Sequence, residues 1–203
     1  MELGDDTLRV GRTLSALGEA VIEFTRVLDA EDVGYVIVSG YVVILTGRSR
    51  ATEDVDVVIE PLSRAETDEL VAALRERGYW GMAMPLDEAY PMLRDGDRIR
   101  VAREDEIFPN FEIWFASNEL ERTALANALT AELDDAELRI SPIELQIAYK
   151  LHLAQRAGSP AGKDFEDALH LYRALGEQLK GADLERYVEI LGVEPYHDEL
   201  RSD

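Results

Sequence analysis

Cysteine is absent from this sequence, lysine is scarce, and no apolar run is long. The absence of cysteine excludes both a disulfide framework and a thiolate metal site. No apolar run approaches the roughly 20 residues that a membrane-spanning helix needs, so we expect no membrane association. The amino terminus, MELGDDTLRV, lacks the basic and apolar regions of a signal peptide, and we therefore expect a cytoplasmic protein.

Basic residues are outnumbered two to one, because 42 acidic residues face 21 basic ones and leave a net charge of −21. The lysines are Lys150, Lys163 and Lys180, and the other basic residues are arginines. An acid-rich, lysine-poor chain is typical of halophilic proteins, which work in molar salt where the Debye length is about 3 Å. A merely acidic mesophilic protein is the alternative. Both interpretations argue against a large phosphate-neutralising surface, since affinity for nucleic acid depends on Lys and Arg.

The most informative stretch runs from Tyr35 to Glu60. Residues 35–38 are β-prone and predict a strand, which the pair Ser39 and Gly40 ends in a turn. The apolar segment 41–46 is long enough for two helical turns, and the polar loop 47–53 follows it.

Asp54 and Asp56 then alternate with Val55 and Val57. Successive side chains of a strand point to opposite faces, so both carboxylates lie on one face and both valines on the other. Two neighbouring carboxylates repel each other unless a cation neutralises them, and carboxylate oxygens are hard ligands that suit Mg²⁺. The pattern predicts a magnesium site. The alternative is an ordinary strand with solvated carboxylates.

The remaining pattern alternates between helices and strands. We predict an amphipathic helix over 7–29 and a helix over 63–77 with a capping box of Ser63 and Glu66. A loop with a turn or two of helix over 79–97, strands over 98–103 and 111–115, a helix over 117–129 and a short edge strand over 137–140 follow. Beyond them a helix is predicted with Ser141 as N-cap, Pro142 at the first helical position and Glu144 closing a second capping box. The breaker AGSPAG, helices from Lys163 and over 183–191, and a polar tail complete the prediction.

The succession of strand, small-residue turn, short helix and Asp-x-Asp strand resembles the nucleotidyltransferase superfamily typified by DNA polymerase β. Within it, GRSRATEDVDV is similar to the signature of small AbiEii-type toxin nucleotidyltransferases. The helices of 142–175 resemble the same group, in which a helix bearing Lys precedes Lys-Asp-x-x-Asp, here Lys150, Lys163, Asp164 and Asp167. One departure is the turn, where the family usually has Gly-Gly or Gly-Ser and this chain has Ser39-Gly40.

The resemblance implies an α/β (α+β) fold, in which a mixed twisted sheet carries a C-terminal helical subdomain. We therefore expect a nucleotidyltransferase core with an N-terminal helix over residues 1–140 and a helical subdomain over residues 141–203, with the active cleft between them. Such a protein moves a nucleoside monophosphate from an NTP to an acceptor hydroxyl and releases pyrophosphate.

The expected site residues fall into three groups. Mg²⁺ ligands are Asp54, Asp56 and Glu112, the last being the best match to the superfamily's third carboxylate, with Glu104, Asp105 and Glu106 as competitors. Nucleotide contacts are Ser39, Gly40, Arg50, Thr52, Lys150 and Lys163. Lys150 and Asp164 join the metal ligands as catalytic residues, with Asp164 orienting a lysine or acting as a base.

The resemblance also suggests a toxin with a cognate antitoxin as its partner. The alternative is an inactive, antitoxin-like regulatory protein that keeps the fold, which Ser39 favours and the intact aspartate pair disfavours. Three properties stay open at this point: the acceptor, which could be tRNA, a protein or a small molecule, the preferred base, and the oligomeric state.

Overall fold

A nine-stranded mixed sheet forms the centre of the computed structural model, which describes residues 1–11, 15–50, 52, 54–134, 136–159 and 162–202. The strands of this part of the chain are β1 Glu2–Leu3, β2 Thr7–Arg9, β3 Tyr35–Val38, β4 Asp54–Ile59, β5 Tyr79–Gly81, β6 Ile99–Arg103, β7 Asn110–Phe115, β8 Leu129–Leu133 and β9 Ala136–Ile140. Their spatial order is β1-β2-β8-β9-β3-β4-β7-β6-β5.

Helices cover both faces of this sheet. They are α1 Ala16–Ala30, α2 Gly40–Leu45, α3 Arg64–Glu76, α4 Ala89–Arg94, α5 Glu119–Ala126, α6 Ile143–Ala157, α7 Lys163–Leu175, α8 Gly181–Leu191 and α9 Glu194–Ser202, with short 3₁₀ turns at Leu86–Glu88 and Gly176–Gln178. The mixed α/β fold expected from the sequence is confirmed. None of the described helices is long and apolar enough to cross a bilayer.

Strand β4 lies near the middle of the sheet, antiparallel to β3 and parallel to β7. Its predicted alternation is confirmed, since Val55 and Val57 are fully buried while Asp56 points to the other face. Phe111 of β7 shares the valine face, and Phe24 of α1 stacks on it with ring centroids 3.9 Å apart. Helix α1 therefore covers the face opposite the carboxylates, which leaves the aspartate face open to α5 and α6.

The C-terminal helices pack on the carboxylate side of the molecule. Helix α6 packs against both α7 and α8, and its apolar residues belong to the same core cluster as the sheet. The predicted capping box at its start is wrong: Pro142 is the N-cap without a side-chain bond, and Glu144 Oε1 instead accepts from the Lys180 N–H at 2.7 Å. Glu144 thus ties α6 to the start of α8. The division at residue 140 stays a prediction, and Pro160 and Ala161 of the breaker lie outside the described residues.

Three further predictions about elements are wrong, each because a distant partner decides the local structure. Residues 7–9 are not helical but pair in parallel with β8, and Leu14 of the predicted helix lies outside the described residues. Strand β9 is not an edge, since it pairs with β8 on one side and with β3 on the other. The polar tail forms α9, which buries His197 and Leu200.

Candidate active site

Asp56 is the most perturbed carboxylate of the described site. Its side chain is 19% exposed and lies beside Glu112 of β7, its register partner. Burial raises the pKa of Asp56 to about 6, and the charge of Glu112 adds to this effect, while Arg98 and a hydrogen bond with Ser39 act against it. Asp54 lies two residues earlier on the same face, and its charge also raises the pKa of Asp56. The two aspartates therefore form a centre of negative charge that a cation would stabilise.

The Ser39-Gly40 turn joins β3 to α2 directly beside Asp56. Ser39 has φ 60° and ψ −126°, a conformation that side chains rarely adopt and that costs on the order of 1–3 kcal/mol. Its N–H donates to Gln146 Oε1 of α6 at 2.9 Å, so the turn is fixed by the C-terminal helices. A Cβ on Gly40 would lie 3.0 Å from Arg50 Nη2 and 3.3 Å from Thr52 Oγ1, so the turn packs closely against the loop before β4. The predicted nucleotide residues Ser39, Gly40, Arg50 and Thr52 are thus brought together.

Glu112, the third predicted metal ligand, is engaged by two arginines. Arg98 Nη1 donates to its Oε2 at 2.6 Å, while Arg100 donates to its Oε1 through Nε at 2.9 Å and Nη2 at 2.8 Å. Burial alone would raise the pKa of Glu112, but these hydrogen bonds and charges lower it below its ordinary value. Arg98 Nη1 also lies 3.7 Å from Asp56 Oδ1. Among the described residues no three acidic or histidine side chains converge on one metal-binding point.

Lys150 is buried in a network of charges between α6, α7 and the loop before β4. Only 3% of its side chain is exposed, and its ammonium lies 2.7 Å from Asp164 Oδ1 and 3.1 Å from Asp167 Oδ2. Asp167 is wholly buried and also pairs with Arg48 and Arg50. Gln146 of α6 and Asp167 of α7 therefore face the turn and the loop before β4. Lys150 reaches that loop through Asp167 and Arg50.

Lys163 and parts of the segment GRSRATEDVDV give less information about the site. The Lys163 side chain is exposed, and the group that contacts the loop is its carbonyl oxygen, 3.4 Å from Arg48 Nη1. Ala51 and Glu53 of GRSRATEDVDV lie outside the described residues. The competitors Glu104 and Asp105 follow β6 and Glu106 precedes β7, and all three are exposed.

Sequence reasoning misses Arg98 and Arg100. Both lie on the face of Glu112, because β6 pairs antiparallel to β7 with Arg100 opposite Glu112. The alternation of Arg98 and Arg100 with apolar Ile99 and Val101 is visible in the sequence and marks them as sharing one face. Their register against Glu112 is not visible, since it depends on how the intervening turn closes.

A cleft of about 290 Å³ opens beside Asp56. Its floor is the sheet and its walls are α5 and α6. Its lining includes Ser39, Asp56, Val58, Arg98, Trp114, Asn118, Leu120, Glu121, Ala124, Leu145 and Tyr149.

Comparison with known proteins gives matches among solved structures alone. No protein-family model and no curated protein sequence matches the chain. An antigenic nucleotidyltransferase-like protein from Paracoccidioides brasiliensis superposes with a TM-score of 0.56 at 18% identity, covering 93% of this chain and 94% of that one.

The antibiotic-resistance factor ANT(2'')-Ia in solution gives a TM-score of 0.53 at 16% identity, over 91% of this chain and 95% of that one. The crystal structure of ANT(2")-Ia with adenylyl-2"-tobramycin gives 0.50 at 17% identity, over 90% and 95% of the two chains. The resemblance to AbiEii-type toxins stays a prediction. The chain has the fold of the nucleotidyltransferase superfamily.

Proposed function

We propose that this protein transfers a nucleoside monophosphate from an NTP to an acceptor hydroxyl. The observation that carries the proposal is the placement of Asp54 and Asp56 on one strand face beside the Ser39-Gly40 turn, in a chain with the nucleotidyltransferase fold. In the reaction the acceptor oxygen bonds to the α-phosphorus while the bond from that phosphorus to the bridging oxygen breaks. Pyrophosphate leaves, and the hydroxyl proton passes to water.

Asp54 and Asp56 would hold Mg²⁺. The raised pKa of Asp56 supports this assignment, because it shows that the negative charge of the partly buried aspartate pair is not fully compensated by nearby positive charge. Bound Mg²⁺ would stabilise the attacking and leaving oxygens. Glu112 can complete the ligand set only if Arg98 and Arg100 release it, and until then it holds both guanidinium groups beside the aspartate pair.

The phosphate groups would lie at the opposite end of the aspartate pair from the cleft. The Gly40 N–H would donate a hydrogen bond there, and Arg50 would offset the triphosphate charge. The Thr52 hydroxyl donates to the Asp54 carbonyl oxygen at 2.9 Å and would hold the loop beside the phosphates. Asp167 forms an ion pair with Arg50 and a second ion pair with Lys150. Lys150 therefore acts on the nucleotide through that pair, Asp164 orients the Lys150 ammonium, and Lys163 would offer a peripheral cation at the start of α7.

The test is a panel of the four NTPs with Mg²⁺ in high salt. Selective thermal stabilisation by one Mg-NTP is expected, since binding to the folded state alone raises stability. Asp54→Asn and Asp56→Asn should each abolish pyrophosphate release while the variants stay folded. Near-normal pyrophosphate release by either variant would overturn the metal assignment.

An inactive binding or regulatory protein is the second candidate, and a specific observation favours it. Arg98 lies between Asp56 and Glu112, where a cation of the protein itself replaces part of the charge that a metal would supply. Ser39 also holds a strained conformation where the family has glycine. Stabilisation by a nucleotide that is equal with and without Mg²⁺, together with no pyrophosphate release, would favour this candidate.

The toxin role with a cognate antitoxin follows from the AbiEii resemblance. Its test is controlled expression in a bacterial host. Growth arrest that Asp56→Asn relieves is expected for a toxin, and unchanged growth on expression of the wild-type protein would contradict it.

A further inference from the structure

The cleft beside Asp56 continues along β4 in the direction away from the Gly40 turn. Thr52, Asp54, Asp56 and Val58 follow one another from the phosphate end to the cleft floor. The strand therefore places Asp54 and Asp56 between the phosphate end and the cleft. A group transfer with the attacking and leaving oxygens on opposite sides of phosphorus needs this order.

Apolar side chains form most of the cleft surface. Trp114 lies in its floor, and Leu120, Ala124 and Leu145 form its walls together with Tyr149 at the rim, 36% exposed. Polar groups of Ser39, Asp56, Asn118 and Gln146 also line it. A largely apolar lining with a few polar groups is typical of small-molecule sites. The volume of about 290 Å³ lies at the low end of the range for such sites.

The two other charged groups of the cleft lining already have hydrogen-bond partners. Glu121 accepts hydrogen bonds from Trp114 Nε1 at 2.9 Å, from the Ser117 N–H at 2.8 Å and from the Asn118 N–H at 3.3 Å. Arg98 is committed to Glu112, and its guanidinium carbon lies 3.9 Å above the Trp114 ring. Asp56, whose Oδ1 lies 3.7 Å from Arg98 Nη1, is the third charged group of the described lining and lies at the end of the cleft nearest the aspartate pair.

We infer that the acceptor is a small hydroxyl-bearing amphiphile, uncharged or cationic, that binds in this cleft. The inference rests on the proposed nucleotidyl transfer. The apolar part of the acceptor packs between Leu120 and Leu145, while its hydroxyl points to Asp56. A polyanionic acceptor such as tRNA is disfavoured, because the described lining contributes one arginine and no lysine and the whole chain carries −21.

The inference is tested by finding which molecules receive the label. The protein is incubated with Mg²⁺, the α-³²P form of each NTP and a cell extract divided into small molecules, RNA and protein. Label is expected in the small-molecule fraction, in products that elute later on a reversed-phase column than the NMP. Label in RNA or protein would overturn the inference and leave the proposed transfer standing. Absence of label from all fractions, together with no stabilisation by any NTP, would overturn both.

Two variants locate the acceptor in the cleft. Ala124→Phe fills the cleft and Tyr149→Ala removes part of its rim. Each is expected to lower labelling at least tenfold while the thermal shift caused by Mg-NTP stays at the wild-type value. Ala65→Phe makes the same chemical change as Ala124→Phe on the exposed surface of α3 and should not alter labelling.

The same variants decide whether the nucleobase occupies the cleft instead. Trp80→Phe leaves Trp114 as the single tryptophan, so its fluorescence reports directly on the cleft. The inference predicts that Mg-NTP changes this fluorescence little and that the purified labelled product changes it strongly. Strong quenching by Mg-NTP alone, lost in Ala124→Phe along with the thermal shift, would assign the cleft to the nucleobase and contradict the inference.

Discussion

Replacing Asp56 by Asn should stabilise the fold while it removes activity. Asp56 has a pKa of about 6 against an ordinary value of 3.8, a difference of about 2 units, because burial and the neighbouring Glu112 disfavour its charge. Each pKa unit corresponds to 1.36 kcal/mol, so ionising Asp56 in the folded state costs about 3 kcal/mol. Asparagine keeps the shape and the hydrogen-bonding oxygen but carries no charge.

The pH dependence of this gain has a definite sign. Above pH 6 Asp56 is ionised in both the folded and the unfolded state, and the wild-type protein bears the full cost. Below pH 3.8 it is neutral in both states, and the cost disappears. The variant should therefore gain 2–3 kcal/mol, about the cost of ionisation, at pH 8, and the gain should shrink as the pH falls towards 4.

The assay is urea denaturation in EDTA at fixed, high ionic strength, at pH 8 and pH 4.5. Asp68→Asn, an exposed site on α3, controls for the loss of one negative charge from an acidic chain. An Asp56→Asn variant no more stable than Asp68→Asn at pH 8 would refute the reasoning. So would a gain of equal size at both pH values.

Three further predictions concern the rest of the molecule. The melting temperature should rise from low salt to molar KCl as screening reduces the repulsion within a chain of charge −21, and a melting temperature independent of KCl would remove the halophilic interpretation. Asp167→Ala should cost about 3–5 kcal/mol in urea denaturation, because it removes the fully buried counter-ion that Arg48, Arg50 and Lys150 share, and a loss below about 1 kcal/mol would contradict this. Burial lowers the pKa of His197 below 6.5, so the stability that His197 contributes is present above pH 6.5 and is lost as the pH falls through its folded pKa. The unfolding free energies at pH 5 and pH 7.5 should therefore differ less in His197→Gln than in the wild type. An unchanged difference would contradict the assignment.

The part of the fold nearest to Asp56 could be predicted because its signals are local. The strand Tyr35–Val38, the turn, the short helix and the alternation of Asp54 with Val55 lie within 21 consecutive residues, and local periodicity decides them. Strand β2 could not be predicted in this way. Its three residues form a strand because β8, more than a hundred residues away, offers a partner in parallel register.

In the candidate site, too, the residues set by local spacing could be predicted and those set by distant partners could not. The positions of Asp54, Asp56 and Gly40 follow from spacing, and Glu112 lies beside Asp56 as expected because β7 is the parallel neighbour of β4. The partners of Glu112 and Lys150 could not be predicted, since they come from side chains that tertiary packing brings in. Lysine is rare in this chain, so the sequence favours Lys150 as a phosphate ligand. In the structure Lys150 is instead buried against the carboxylates of Asp164 and Asp167.

Following the label separately from the α- and γ-phosphates of one NTP tests the central claim most directly. With Mg²⁺, a cell extract as the source of acceptor and the wild-type protein, the account predicts that α-³²P enters an acceptor and that γ-³²P leaves as pyrophosphate, with both signals absent in Asp56→Asn. Transfer of the γ-label to the acceptor, or equal α-label transfer by Asp56→Asn, would contradict it.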